Sequence, residues 1–135
     1  MIFSTLIPKR PVSLQAKRPS LRVWKNYIAG IARADWSGEV HENIDMHLKL
    51  VYLYDDGTPS VDVDNIIKPI QDALVGIVYK DDVWITDVEA HKRPLTGNYD
   101  LTQEPYVTLL DSINNAQECV YLELRRALDL EDYWS

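Results

Sequence analysis

Hydrophobic residues recur along this chain with two different periods, and the switches between them mark out helices and strands. Leu21, Trp24, Ile28 and Ile31 stand three or four apart, the repeat of one buried helical face, and predict a helix over about 20–34. Ile44, Met46, Leu48, Leu50, Tyr52 and Tyr54 instead take every second position, with Asp45, His47 and Lys49 between them, and predict a strand over 43–54. Val51 and Leu53 make the end of that strand apolar on both faces, as in a central, covered strand. Helical spacing returns in Ile66, Ile67, Ile70, Ala73, Leu74 and Ile77, predicting a helix over about 65–76. Pro69 must then sit in its first turns or kink them.

The segments between are shorter. Met1–Ile7 reads as a strand ended by Pro8, and the turn-forming DDGTPS at 55–60 reads as a loop. Val61–Asp64 is expected to be a short extended piece, Lys80–Asp82 a turn and 83–92 a strand. A loop with Pro94, Gly97 and Pro105 follows over 93–105. Beyond it, 106–110 reads as a strand and 112–128 as a helix capped by Ser112, leading into the acidic, aromatic LEDYWS. The order β-α-β-α-β-β-α indicates an α/β fold, a single domain with a mixed β-sheet and flanking helices. A length of 135 residues suits one domain, read as a strand-helix arm over 1–34, an acidic motif over 61–82 and a C-terminal helix or tail over 111–135.

Composition removes several classes of function. With 46% hydrophobic and 26% charged residues the chain has the make-up of a globular domain, not a disordered one. Its longest apolar run, Ala73–Tyr79, is far short of a membrane span, and MIFSTLIPKRP lacks the basic start of a signal peptide. A soluble, cytoplasmic protein is expected. The single Cys119 excludes an internal disulfide and cannot by itself supply a cysteine-based zinc site.

A net charge of −7 and a pI near 4.8 weigh against nucleic acid as a partner, until the charges are placed along the chain. Residues 1–34 hold Lys9, Arg10, Lys17, Arg18, Arg22, Lys25 and Arg33 and no acid, while 35–135 hold the other seven basic residues and all 21 acidic ones. Such a split suits either an arm for an anionic partner or an arm laid across its own acidic body. Arg22, Lys25 and Arg33 share the helix face opposite the apolar stripe, which is a phosphate track or merely a solvated face.

The chemistry concentrates in VDVDNIIKPIQDALVGIVYKDD, residues 61–82. In an extended segment Asp62 and Asp64 point to one side with Cα atoms roughly 6–7 Å apart, where their repulsion invites a divalent cation. Oxygen-only ligands suit Mg2+ or Mn2+. Lys68 follows Asp64 by one helical turn and Asp72 by two. Singly, each piece has a plain structural reading: Asp64 as a helix cap, Asp64 with Lys68 as an i,i+4 ion pair, Asp81 and Asp82 as an exposed turn.

Taken together, the string resembles the signature of RusA-like Holliday-junction resolvases, small phage and bacterial endodeoxyribonucleases. That signature runs Asp-x-Asp-Asn, Lys, Asp-Ala-Leu-x-Gly, an aromatic residue and Asp-Asp. Here it is carried by Asp62, Asp64, Asn65, Lys68, Asp72, Ala73, Leu74, Gly76, Tyr79, Asp81 and Asp82. The motif covers about 22 residues, and the looser order of elements extends the likeness to about residue 110. The resemblance implies a Mg2+-dependent (or Mn2+-dependent) homodimer that nicks branched DNA by phosphodiester hydrolysis. It implies Asp62, Asp64 and Asp82 as catalytic metal-binding carboxylates and Lys68 as the cation that stabilises charge on the scissile phosphate or orients the attacking water. Lys9, Arg10, Lys17, Arg18, Arg22 and Lys25 are the candidate DNA contacts.

The chain departs from the family where a glutamine commonly follows the acid pair after one residue: Val83 is followed here by Trp84, a stacking surface or a core or dimer-interface residue. It departs also in its acidic balance, for which the alternative is a RusA-fold binding or regulatory protein without cleavage. His41, His47 and His91 are scattered and form no nucleophile–base arrangement in the sequence. The acids after residue 111, Glu118 and Glu123 among them, lie outside the likeness, on a partner-binding, dimer-supporting or merely solvated helix.

Overall fold

A computed structural model describes residues 1–134. Four strands, β1 (Phe3–Ile7), β2 (Met46–Tyr54), β3 (Ile85–Pro94) and β4 (Cys119–Arg126), form one mixed sheet in the order β1-β4-β2-β3. β4 runs antiparallel to both β1 and β2, and β2 runs parallel to β3. A parallel pair needs a crossover, and α2 (Asp64–Leu74) lies in the one that joins β2 to β3. α1 (Arg18–Asp35) precedes β2, α3 (Tyr106–Asn114) precedes β4, and a short α4 (Leu130–Trp134) follows it. The α/β, single-domain, mixed-sheet expectation matches this architecture.

Alternation decides which side chains each sheet face receives. Met46, Leu48, Leu50 and Tyr52 of β2 join Phe3 and Ile7 of β1 and Val120, Leu122 and Leu124 of β4 beneath the helices. α1 covers them with Trp24, Ile28 and Ala32, and α2 with Ile66, Ile70 and Leu74. Val51, Leu53, Cys119 and Tyr121 face the other way, onto Leu95, just after β3, and onto Leu109 of α3. The apolar end of β2 is therefore covered on both faces.

Two expectations fail together. Residues 106–114 are a helix rather than a strand, and 119–126 are a strand rather than part of a helix over 112–128. The C-terminal helix or tail over 111–135 is thereby corrected: its middle is the strand hydrogen-bonded between β1 and β2. Leu, Glu and Arg favour helix locally, but burial from Cys119 through Leu124 overrides that preference. Of LEDYWS, Leu130–Trp134 is helical and Ser135 lies outside the described residues.

Cys119 is fully buried, and burial pushes its thiol up to about 11. The thiolate is the reactive form. Iodoacetamide at about pH 8 is accordingly expected to leave the folded protein unmodified and to alkylate it only in guanidinium, as read by intact mass. Among the described residues no helix is long and apolar enough to cross a membrane.

Candidate functional site

Pro69 lies inside α2 and lacks the N–H that would bond the Asn65 carbonyl. The backbone N–H of Leu14 takes that carbonyl instead, at 2.9 Å, so the proline leaves a docking point for the basic arm. Val63, just before the helix, is itself helical (φ −61°, ψ −36°). The expected extended piece over Val61–Asp64 is therefore corrected, and with it the same-side reading of Asp62 and Asp64. Two residues apart on a helical turn, side chains diverge. Both carboxylates are exposed, and Asp64 is the first residue of α2, where the positive end of the helix dipole tolerates an anion.

The segment after α2 folds back along it. Gly76 has φ +82°, a conformation that costs glycine little, and its N–H bonds the Tyr79 carbonyl at 2.7 Å. Tyr79 is fully buried, and its hydroxyl donates to the Gln71 carbonyl at 2.6 Å. Burial and the nearby Asp82 and Asp72 charges hold that phenol far above its ordinary value. Gly76 and Tyr79 of the acidic motif thus act through geometry, bringing the acid pair back beside α2.

The two acids of that pair differ. Asp81 caps the short 3-10 turn Asp82–Trp84, accepting from the Val83 N–H at 3.0 Å. Asp82 instead accepts a hydrogen bond from the ammonium of Lys68. Lys68 also reaches Asp72 at 3.0 Å, and Asp72 meets Lys25 of α1 at 3.4 Å. One alternating chain of charge, Lys25–Asp72–Lys68–Asp82, therefore crosses from α1 over α2 to the turn before β3. The Lys68 hydrogen bond lowers the Asp82 carboxyl below the usual range. The Lys68 ammonium is raised above the usual lysine value, by Asp82 first and Asp72 second.

Asp62, Asp64 and Asp82 do not gather round one point. Among the described residues no group of three or more His, Cys, Asp or Glu side chains stands close enough to hold a metal ion. The donor set is nonetheless oxygen-only and draws a cation, the Lys68 ammonium, onto Asp82. That chemistry fits Mg2+, which keeps several waters and takes one or two carboxylates with substrate phosphates rather than a closed protein cage.

The six candidate DNA contacts divide. Arg18, Arg22 and Lys25 line one open groove with Leu21 and Asn26 on α1, adjoining Asp72 through Lys25. Lys17 immediately precedes that helix. Lys9 lies over the Tyr27 ring at 4.7 Å. Arg10, with its side chain 42% exposed, pairs with Glu118 at 3.0 Å. Trp84 is half-buried against the main core.

Two clusters were not legible from spacing. His47 and His91 both meet Glu89, at 3.3 and 2.6 Å, and the His91 bond chiefly lowers that carboxyl. His91 stands two residues from Glu89 on β3 itself, and the register of β2 on β3 adds His47. Buried Glu118 accepts from Arg10, from the Tyr52 hydroxyl at 2.8 Å and from the Asp55 N–H at 3.3 Å. Burial and Glu118 push the Tyr52 phenol up to about 12. The only signal for this cluster was a glutamate beside CVYL, which marks a polar group entering a buried strand.

Compared with known families, residues 12–99 match the one described as Endodeoxyribonuclease RusA. The matched stretch holds α1, β2, α2 and β3, the elements that carry the charge chain, and stops before β4. No curated protein matches the chain significantly.

Proposed function

Because the chain belongs to the RusA endodeoxyribonuclease family, we propose that it cleaves four-way or branched DNA junctions by Mg2+- or Mn2+-dependent phosphodiester hydrolysis, as a homodimer in the cytoplasm. The observation that carries this reading is the Lys25–Asp72–Lys68–Asp82 chain, which joins the basic face of α1 to the acidic face of α2. Hydrolysis needs a water made nucleophilic and negative charge at phosphorus offset, beside a surface that holds the strand. An acidic centre with no adjoining cations would repel its substrate; this one has them.

The family likeness assigns the metal to Asp62, Asp64 and Asp82, which would have to draw together to hold it; when bound it would supply Lewis acidity and a water of lowered pKa. Lys68 remains about half exposed while it holds Asp82 and Asp72, so its charge faces the solvent side from which a phosphate approaches. Arg18, Arg22 and Lys25 would position the backbone, since phosphate contacts set register without reading sequence. Arg18→Ala with Arg22→Ala is expected to weaken junction binding and to reduce the slope of log K against log salt by about two. A titration at several salt concentrations measures it.

A RusA-fold binding protein without cleavage is the second reading, favoured by the absence of a three-carboxylate cluster among the described residues. Incubating the protein with a synthetic four-way junction and Mg2+ separates the two. Nicking supports the endonuclease, and salt-sensitive binding without nicking supports the binder. A carboxylate site that takes Mn2+ should also raise the melting temperature in proportion to the logarithm of its concentration above Kd.

A further inference from the structure

We propose that Glu118, with Arg10 and Tyr52, is a positioning device that fixes the 55–61 loop and thereby sets the place of Asp62. The proposal rests on the reading of Asp62 as a reacting carboxylate. Arg10 and Glu118 both lie outside residues 12–99, so the matched region gives neither a role.

The loop leaves β2 at Tyr54 and delivers the chain to Asp62 at the foot of α2. Glu118 holds its start, through the Asp55 N–H at 3.3 Å. Tyr52, whose hydroxyl donates to Glu118, accepts the Val61 N–H at 3.5 Å and so holds its end. Arg10 holds the middle: its guanidinium donates to the Thr58 hydroxyl at 3.3 Å and to the Pro59 carbonyl. Among the described residues, the one other side-chain hydrogen bond from this loop to the rest of the protein is the Thr96 hydroxyl on Asp56, at 2.8 Å. Immediately beyond, the Asp62 carbonyl accepts the Asn65 N–H at 3.0 Å, so the backbone is held on both sides of the Asp62 side chain.

A buried carboxylate is an expensive way to fill space, and a leucine would avoid its desolvation. Glu118 is 8% exposed, and its hydrogen bonds go to the arm, to Tyr52 and to the loop. One bond reaches Tyr52 on β2, and the others reach Arg10 and Asp55 outside the sheet. They run from the residue just before the central β4 to the segment that carries a candidate catalytic acid, and displacing such an acid by about 1 Å can cost on the order of 10²-fold in rate. Arg10 belongs to the same device and is not a DNA contact.

Amide hydrogen exchange and junction kinetics together test this. Tyr52→Phe removes one oxygen, and Arg10→Met with Glu118→Met removes the ion pair without leaving a buried charge. Exchange at Asp55 and Val61 is expected to rise about tenfold or more, while the amides of β2 and β4 stay protected. With Mg2+, kcat on a four-way junction should fall on the order of 10²-fold, while junction Kd and its salt slope stay at the wild-type values. Unchanged exchange at both amides would overturn the proposal. So would exchange rising equally through the whole sheet, or a salt slope lowered by the loss of Arg10. A wild-type protein that cuts no junction would remove the proposed reaction, while the exchange measurement still decides whether the device holds the loop.

Discussion

Asparagine at position 64 is expected to slow nicking of a four-way junction in Mg2+ by about three orders of magnitude or more, with little loss of stability. Asp64 is exposed at the first position of α2, so its replacement forfeits a helix-dipole interaction of only about 0.3–1 kcal/mol. That corresponds to a shift of a few degrees in melting temperature. The carboxylate's proposed role is to offer a charged oxygen to the metal, which the neutral amide does poorly. Asp81→Asn is the matched control. Asp81 serves as a cap through a single oxygen, which asparagine also provides, and its carboxylate is turned to the Val83 N–H. Asp82→Asn, one residue along, should behave like Asp64→Asn, because Asp82 is the acid that faces Lys68. Initial nicking rates and thermal melts of the three variants decide it. A wild-type rate in Asp64→Asn would remove Asp64 from the metal-binding set.

A chain ending at Asn115 is expected not to fold at all. The lost segment contains β4, which is hydrogen-bonded to β1 on one side and to β2 on the other. Removing it separates those strands and uncovers Leu48, Leu50 and Phe3, all buried. The loss exceeds the roughly 5–15 kcal/mol by which domains of this kind are stable. An appended helix would behave otherwise: its removal would leave a cooperative melt. A milder version replaces Leu122, fully buried in β4, by alanine, for a loss of about 2–5 kcal/mol. Leu128→Ala, beyond the strand and 56% exposed, should change stability by less than about 0.5 kcal/mol. Circular dichroism and denaturant titration measure all three.

What could be read from the residues was what local periodicity encodes. The alternation of 44–54 and the three-to-four spacing of α1 and α2 survive folding, because each element buries one face on a neighbour. The strand of 119–126 is buried on both faces, so neither period shows, and its Leu, Glu and Arg content reads as helix. Asp62 and Asp64 were placed on one side by assuming extended backbone; the helical Val63 turns them apart. The order of the acidic motif was legible, but the reason for its glycine and tyrosine was not. Gly76 and Tyr79 act through a reversal of the chain that no linear spacing describes. Arg10 and Glu118, 108 residues apart, meet only because the sheet brings the arm and β4 to one end of β2.

Cleavage of a synthetic four-way junction, set against linear duplex of the same sequence, is the most direct measurement of the proposed activity. In Mg2+ the wild-type protein is expected to place paired, symmetric nicks near the branch point, to leave the duplex intact and to stop when the metal is chelated. Junction binding that never leads to a nick, with Mg2+ or with Mn2+, would contradict the assignment and leave a RusA fold that holds DNA without cutting it.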